Sequence, residues 1–549
     1  MVRCKALVAM LAALLAIGLP ARAGTASTGG VSAGRGAANP ICGRLGHSIE
    51  ASAGAQMYCF GAQQNGPGTA VAARSTPSSS FTASAGASGN TDAASLSEDV
   101  TQSGARVYGQ SETSVGAAGP FVVEAWNDAT SLYSLCPSPK DQEEGTGLGF
   151  STDGGKTFTD LGGLPNDCTT GAFFQGDPSV EALRRGGSTY FYVSSLFDNV
   201  NTGESDIALD ACMVSGTALH CSGPIVAATS LSGFLDKDFL AIDPGRSRLY
   251  VTYTRFDGSN PNGQIEIAVC SLAVPTTPSC DPGGSETPYL VISAGDPNCE
   301  QEGSYPAVDP ATGAVYVAWE YNWFSGVMDS ACQNVPTQNR VAYVPLSCLP
   351  LATTSSCPGP TASTAVSIVS MELAPIPGYN RFPMNDYPRI AVSDPQGTVS
   401  IVWNDARYRP LGDILLQSWK VGAALQPVQT KPAVVDSRGA AHFLPALRLS
   451  NAGALLVGWY ERATASTTIT SYAGALRVKP ASTSAANEVT VTTASSDWSG
   501  ATSDIIPNFG DYTDVYIATS GDDVRAVFAW TDGRLSDPQP FTASILLSS

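Results

Sequence analysis

The sequence predicts an all-β protein, a seven-bladed β-propeller of four-stranded blades, and two observations lead to that prediction. The first is a hairpin theme, best seen in Glu302–Asn322, which opens on an acidic residue, turns at Asp309–Gly313 and ends near Trp319. Proline presets φ in such a turn and glycine supplies a positive φ. The second is recurrence of this theme every ~60–85 residues, an interval that fits four strands per unit. The other copies are Glu112–Asp128, Asp177–Asp198, Lys237–Asp257, Asp386–Arg407, His442–Arg462 and Asp511–Arg534.

A repeated unit of this kind cannot bury both of its faces alone and must stack on its neighbours. Four-stranded units set around an axis form a propeller. Outer strands are predicted at Gln264–Ala273, Pro288–Ser293, Gly412–Lys420, Gln426–Val435, Ile469–Val478, Glu488–Thr493 and Phe541–Leu547. The last blade lacks one strand, and Thr101–Tyr108 is expected to supply it and close the ring.

Three segments precede or form the folded body. Residues 1–23 have a basic start, an apolar run and an Ala21-Arg22-Ala23 site, which is typical of a secretory signal peptide. Residues 24–99 are rich in small and polar residues and are expected to be a linker with a small Cys42–Cys59 loop. Residues 100–549 form the predicted propeller. The protein is therefore expected to be secreted or periplasmic, without a stable membrane anchor.

Cysteine usage agrees with export. The chain has 13 cysteines, and Cys4 lies in the leader, which leaves an even number. An oxidising compartment would let these pair. Neighbour pairing predicts Cys42–Cys59, Cys136–Cys168, Cys212–Cys221, Cys270–Cys280, Cys299–Cys332 and Cys348–Cys357, while the alternative of a zinc site is disfavoured by scattered spacing.

Composition excludes one class of partner. The formal charge of −19 repels phosphate backbones, so nucleic-acid binding is not expected. A monomeric state is also expected.

One motif carries a family resemblance. Ser151-Thr152-Asp153-Gly154-Gly155-Lys156-Thr157-Phe158 matches an Asp box, S-x-D-x-G-x-T-[W/F], between the third and fourth strands of the first blade. Asp153 can accept backbone N–H groups across the turn, and Phe158 can anchor it. The chain thus resembles the sialidase-like, or BNR/Asp-box, β-propeller superfamily, in which this box is structural.

The resemblance implies carbohydrate chemistry, in which three arginines hold a carboxylate, a Tyr nucleophile pairs with a Glu, and an Asp serves as acid/base. Two departures stand beside it. The R-I-P motif of the family is absent, with Arg389-Ile390-Ala391 in the fifth unit as a poor substitute, and known sialidases have six blades. A six-bladed, sialidase-type ring is therefore the alternative to seven blades.

The phase of the repeat predicts where a site would lie. In this family, entry to a blade's first strand and exit from its second lie on one face near the axis. Entry positions with an ionisable side chain are Glu112, Asp177, Asp238, Glu302, Asp386, His442 and Asp511. These carboxylates either bind Ca²⁺ or act as acid and base on a glycoside, or else cap their own loops. No cofactor is predicted with certainty.

The exit positions suggest a second group. Arg407, Arg462 and Arg534 either grip a carboxylate together or form salt bridges within their own blades. Tyr387 and Tyr512 are candidate substrate-binding residues, and His442 with either tyrosine would suit a lyase. The Trp residues that end second strands are predicted to be core.

These patterns predict a carbohydrate-directed propeller, a glycoside hydrolase of exo-sialidase type, that acts through axial carboxylates. A non-catalytic glycan- or protein-binding propeller is the first alternative, and a polysaccharide lyase the second. Two carboxylates ~5–10 Å apart in an axial pocket would favour hydrolysis. Acids that cap loops would favour binding.

Overall fold

The computed structural model describes most of the predicted body. The described residues are 89–97, 99, 106–132, 145–166, 169–199, 201–322, 332–351, 357, 366–370, 373, 375–381, 384–385, 387–393, 396–436, 441–450, 453–464, 466–477, 488–520 and 523–547. The predicted leader, the Cys42–Cys59 and Cys136–Cys168 pairs and Asp386 fall outside this set.

The described residues form seven antiparallel sheets, which confirms the seven-bladed prediction over six blades. Blade 1 contains Gln110–Ala118, Phe121–Asp128, Thr146–Ser151 and Thr159–Gly163. Blade 2 contains Ala172–Phe174, Ser179–Arg185, Ser188–Asn199, Glu204–Ser215, Ala218–Cys221 and Ile225–Ser230. Blade 3 contains Phe234–Asp243, Arg248–Phe256, Gln264–Ser271, Ser279–Asp281 and Leu290–Ser293. Blade 4 contains Gln301–Val308, Val315–Tyr321, Gln338–Val344 and Val366–Val369.

The remaining blades follow the same order. Blade 5 contains Arg389–Ser393, Thr398–Asp405, Asp413–Lys420, Gln426–Pro427 and Ala433–Val434. Blade 6 contains Ala441–Leu449, Leu455–Arg462, Ile469–Arg477, Glu488–Thr490 and Ser496–Asp497. Blade 7 contains Asp514–Ser520, Asp523–Asp532, Gln539–Leu547 and Thr91–Asp92. The described part of the chain has no α-helix and two 3-10 turns, Ala129–Leu132 and Leu346–Cys348.

The ring closes on itself. The innermost strand of each blade contacts the innermost strands on both sides, and that of blade 7 contacts that of blade 1. An N-terminal strand completes blade 7, as predicted, but it is Thr91–Asp92, paired with Phe541–Thr542, and not Thr101–Tyr108. The prediction of Thr101–Tyr108 was wrong because a two-residue edge strand carries too little pattern to be recognised.

Apolar side chains between adjacent blades form the core. Trp126, Trp319, Trp403, Trp459 and Trp530, which lie near the ends of second strands, are all fully buried. This confirms that these rings are core residues and not exposed platforms for sugars. No helix among the described residues is long and apolar enough to cross a bilayer.

Four of the predicted disulfides are present: Cys212–Cys221, Cys270–Cys280, Cys299–Cys332 and Cys348–Cys357. The first two join a third strand to the strand that follows it. These bridges are of the kind that persists in oxidising compartments.

Candidate functional site

A recurrent β-bulge shapes the entry ends of the innermost strands. In blades 1, 3, 4 and 6 the register of the first strand shifts near its start, between Ser111 and Ser114 in blade 1 and between Asp236 and Phe239 in blade 3. The bulges of blades 1 and 3 contain Glu112 at φ 56° and Lys237 at φ 50°. A left-handed backbone is unfavourable for residues with a Cβ, so such positions often mark sites where a side chain must be re-aimed.

The bulges bring their side chains together at the hub. Lys237 Nζ lies 3.1 Å from Glu112 Oε2, 3.0 Å from Asp177 Oδ2 and 3.0 Å from Asp511 Oδ2. One ammonium therefore joins the first strands of blades 1 and 3 to the segments that enter blades 2 and 7. All four side chains are buried. Asn127 strengthens the cluster, because its amide nitrogen donates to Glu112 at 3.0 Å and to Asp177 at 3.1 Å. We call these five residues the hub cluster.

The hub cluster contains three carboxyl groups and one ammonium, and this excess of acids shifts the pKa values of its members. Burial alone would lower the pKa of Lys237, but the surrounding carboxylates outweigh burial and raise it well above its usual value. Burial would likewise raise the pKa of Asp177, yet the Lys237 charge lowers it to about 2. Burial and the Asp177 charge together raise the pKa of Glu112 well above its usual range. The cluster therefore places its acids around the Lys237 ammonium, with Arg381 as a second cation beside Asp511, which is a structural role.

A second arrangement lies beside the hub cluster. The Tyr387 hydroxyl donates to Glu302 Oε2 at 2.9 Å, and this links the entry segment of blade 5 to blade 4. Gly303 makes the approach possible, since its φ is +67° and a Cβ there would lie 2.1 Å from the Tyr387 ring. Arg381 is close enough to oppose the rise that burial imposes on the Glu302 pKa. Glu302 is partly exposed, whereas Tyr387 is buried.

Two other predicted residues occupy different surroundings. Asp238 is buried, and burial raises its pKa well above the usual range. Tyr512 lies on the axis, where its hydroxyl donates to the Pro178 carbonyl at 3.1 Å and its ring centroid is 5.6 Å from Lys237 Nζ. Tyr512 therefore packs under the hub cluster.

His442 lies away from any open cleft. It is fully buried, with Nδ1 3.2 Å from Asp436 Oδ1 and Nε2 3.8 Å from Glu461 Oε2. Its ring meets the edge of Trp459. His442 thus lies beside two acids and not beside Tyr387 or Tyr512 as a lyase would need, and a lyase role for it stays a prediction.

Two of the exit arginines pair within their own blades. Asp405 accepts from Arg407 Nε at 2.9 Å and Nη2 at 2.7 Å, and Asp532 accepts from Arg534 Nη2 at 2.6 Å. The guanidinium of Arg462 lies 5.8 Å from the centre of the Phe443 ring. The structure thus favours the salt-bridge alternative for Arg407 and Arg534, while a role of the three arginines in ligand binding stays a prediction.

The Asp-box turn has the expected geometry. Asp153 Oδ1 accepts from the amides of Lys156 and Thr157 at 2.9 and 3.0 Å, and Oδ2 accepts from the Thr157 hydroxyl at 2.8 Å. The Ser151 hydroxyl donates to Asp153 and accepts from the Gly155 amide. Phe158 packs between blades 1 and 7. The Asp box therefore stabilises the turn between the third and fourth strands of blade 1.

At three of the entry positions, Glu112, Asp177 and Asp511, the carboxylates already pair with Lys237 or Arg381, which disfavours Ca²⁺ there. Elsewhere in the described part of the chain, two groups have ligand atoms close enough to hold a metal, Asp210–Cys212–Cys221 and Asp413–Asp436–His442. The two cysteines form a disulfide, and Arg409 binds Asp413 and Asp436. Neither group therefore offers a free ligand set.

Sequence reasoning missed Lys237, Asn127 and Arg381. Lys237 has a signal, since it is a basic residue at the phase where other units carry acids. Asn127 belongs to the exit of a second strand and has no such signal. Arg381 comes from the connection between blades 4 and 5, which has no counterpart in the other repeats.

Comparison with known proteins gives only distant likenesses. No protein-family model matches the chain, and no curated protein resembles it significantly. Among solved structures, an α-L-arabinofuranosidase of Fusarium graminearum with arabinobiose is 11% identical, with a TM-score of 0.40, over 84% of this chain and 98% of that one. The Trypanosoma rangeli sialidase is 11% identical, with a TM-score of 0.34, over 85% of this chain and 60% of that one. A Hadza microbial sialidase is 9% identical, with a TM-score of 0.38, over 67% and 65%.

At these sequence identities and TM-scores, the similarity gives no information about a reaction or substrate of this chain. What the structure confirms is the fold: a propeller of seven antiparallel sheets, with the predicted Asp-box turn in blade 1.

Proposed function

We propose that this chain is an exported, carbohydrate-directed propeller that hydrolyses a glycosidic bond at the entry face, with Tyr387 and Glu302 as the reacting pair. The observation that carries the proposal is the 2.9 Å hydrogen bond from the Tyr387 phenol to the Glu302 carboxylate. Such a carboxylate can take the phenol proton as the oxygen attacks the anomeric carbon and the glycosidic bond breaks. Water then displaces the tyrosine from the sugar, and Glu302 returns the proton to the phenol. This is also the pair that the family resemblance implies.

The electrostatics of the pair support the roles. Burial raises the pKa of Glu302, which makes it a stronger base for the phenol. Burial and the Glu302 charge raise the pKa of Tyr387 well above its usual value, so the phenol depends on that base to become nucleophilic. Burial and the charges of Asp177 and Glu302 raise the pKa of Asp236, which makes this carboxyl a candidate proton donor to the leaving group.

The experiment is a screen of the purified mature protein against 4-methylumbelliferyl glycosides of acidic and neutral sugars. We expect one class to be cleaved, and Tyr387→Phe and Glu302→Gln each to lower kcat by ~100-fold or more. Tyr190→Phe is the matched control, because Tyr190 packs at the core of blades 2 and 3. Wild-type turnover by a correctly folded Tyr387→Phe variant would rule out the proposed nucleophile.

A non-catalytic binding module is the second candidate, and one observation favours it. Lys237 neutralises three of the axial carboxylates that the sequence offered for acid–base work. On that alternative, a glycan array would show binding while every chromogenic glycoside stays intact. If the wild type hydrolyses any glycoside and Glu302→Gln does not, the binding-module alternative is excluded.

A further inference from the structure

A cavity of about 420 Å³ lies at the opposite end of the axis from the hub cluster. The last residues of the innermost strands of blades 3 to 6 surround it, including Asp243, Val308, Val392 and Leu449. Its volume falls within the range of small-molecule sites. We call it the exit cavity.

The exit cavity is lined by apolar and by polar residues, and its two acids, Glu181 and Asp243, are each paired with an arginine. Ile242, Ile390 and Leu447 are among the wall residues. Arg448 Nη1 and Nη2 donate to the two carboxylate oxygens of Glu181 at 2.6 and 2.7 Å. A quarter of the Arg448 side chain stays exposed although this pair is formed. A cavity lined by both apolar and charged residues suits a ligand that is itself apolar with one polar end.

A second guanidinium lies behind the cavity wall. Arg389 is 3% exposed, and its Nε and Nη1 have no hydrogen-bond partner among the described residues. Its guanidinium carbon is 4.6, 4.9 and 5.3 Å from the ring centres of Phe239, Tyr305 and Tyr512. Tyr305 also lines the exit cavity, so one aromatic ring separates Arg389 from the space.

No described carboxylate satisfies Arg389. Asp514 is near enough for Arg389 to influence its pKa, but Asp514 accepts from the Ser114 hydroxyl at 2.9 Å and from the Val115 and Val515 amides. Buried N–H groups without a partner are rare, and each calls for an unseen water, ion or ligand. Arg389 therefore lies behind the Tyr305 side of the exit cavity with N–H groups that need an acceptor.

We propose that the exit cavity binds a small organic carboxylate. The apolar body of the ligand packs on the cavity walls, and its carboxylate accepts from Arg389 and from the exposed edge of Arg448. Rotation of the Tyr305 ring brings the unpaired Arg389 N–H groups to the ligand. Guanidinium groups favour carboxylates because the planar fork of donors matches the two oxygens. This site is independent of the glycosidase proposal, since it lies at the other end of the axis.

Isothermal titration of the full mature protein with cyclohexanecarboxylate and with cyclohexanecarboxamide tests the proposal. The two probes share one apolar body and differ in charge. We expect the carboxylate to bind about tenfold more tightly or better, with a preference that weakens in high salt. Equal affinity for the two probes, or no binding of either, would overturn the proposal.

Three variants sharpen the test. Arg389→Met should abolish the preference for the carboxylate while keeping most of the side-chain volume. Leu449→Trp narrows the cavity at a partly exposed position and should weaken both probes, even if Arg389→Met does not fold. Leu546→Trp, at a 58% exposed site on blade 7, is the matched control and should change neither affinity. Undiminished binding to Leu449→Trp would place the ligand elsewhere.

Discussion

At the scale of single residues, Lys237 is the side chain on which the hub depends. It meets three buried carboxylates at 3.0–3.1 Å, and these come from different parts of the ring. A buried ion pair often adds little net stability, but removal of one partner leaves uncompensated charge in a low-dielectric interior. Lys237 is therefore easier to explain as a condition for closing the ring than as a catalytic group.

Lys237→Met tests that explanation. We expect the free energy of unfolding to fall by ~3–5 kcal/mol, because Glu112, Asp177 and Asp511 lose their common counter-ion. Urea denaturation followed by tryptophan fluorescence measures the change. Lys420→Met is the control, since Lys420 is exposed and its ammonium touches only the Gln396 carbonyl, at 3.4 Å. If both variants lose the same small amount, the hub charge is not structural.

At the scale of elements, a short motif recurs at the ends of second strands. In blades 5 and 7 the indole N–H of Trp403 and Trp530 donates to an aspartate two residues later, at 2.9 and 2.8 Å. The same aspartate accepts the amide of the arginine that follows, Arg407 or Arg534. The motif ties a buried ring to the exit loop, so these aspartates act as loop caps.

Asp405→Ala and Arg407→Ala separate the two parts of this motif. Asp405 is fully buried, so its loss strands the Trp403 indole and a backbone amide, at about 2–4 kcal/mol. Arg407 is partly exposed, and its loss should cost no more than ~1 kcal/mol. Thermal denaturation of both variants gives the comparison. A larger loss for Arg407→Ala than for Asp405→Ala would contradict the capping role.

The elements also show how far the sequence reaches. The repeated hairpins and several outer strands follow from period-2 patterns and turn chemistry, and the structure confirms them. The hub was predicted only in part. A one-residue bulge changes which side chain faces the axis, so Lys237, and not its neighbour Asp238, reaches the cluster. Period-2 patterns do not reveal such a bulge.

Residues that come from long connections escape prediction for a different reason. Arg381 and Tyr387 arrive through the segment between blades 4 and 5, where no repeat provides a phase. The sequence predicts Tyr387 as a site residue from its place near the entry of blade 5. The structure shows that its hydroxyl donates a hydrogen bond to Glu302. That hydrogen bond depends on Gly303, because a side chain at this position would clash with the Tyr387 ring. The sequence alone does not reveal this contact.

At the scale of the whole molecule, many of the ionisable side chains are buried. The chain carries a formal charge of −19, and many of its Asp and Glu side chains are buried within the propeller. Burial raises the pKa of Asp99, Asp206 and Asp537, each to about 7. These carboxyls stay protonated in the folded protein at pH values where the unfolded chain is already ionised.

We therefore predict that the protein is more stable near pH 4–5 than near pH 8. A carboxyl whose pKa is higher when folded stabilises the fold fully below its unfolded pKa of ~4, and that contribution is lost as the pH rises towards 7. Asp177 has the opposite sign, but its pKa of about 2 confines its effect to a window below pH 4. Melting temperatures between pH 4 and 8 measure the trend. Asp206→Asn should flatten it, because that variant removes one such carboxyl without changing its shape.

Surface repulsion would produce a similar trend, and salt distinguishes the two causes. Repulsion among exposed carboxylates is screened in 1 M NaCl, where the Debye length is ~3 Å, whereas the burial of a carboxyl is not. We expect the acid preference to survive in 1 M NaCl and the difference between wild type and Asp206→Asn to survive with it. A flat profile in high salt would assign the trend to the surface, and the buried acids would then have to be ionised and paired in the fold.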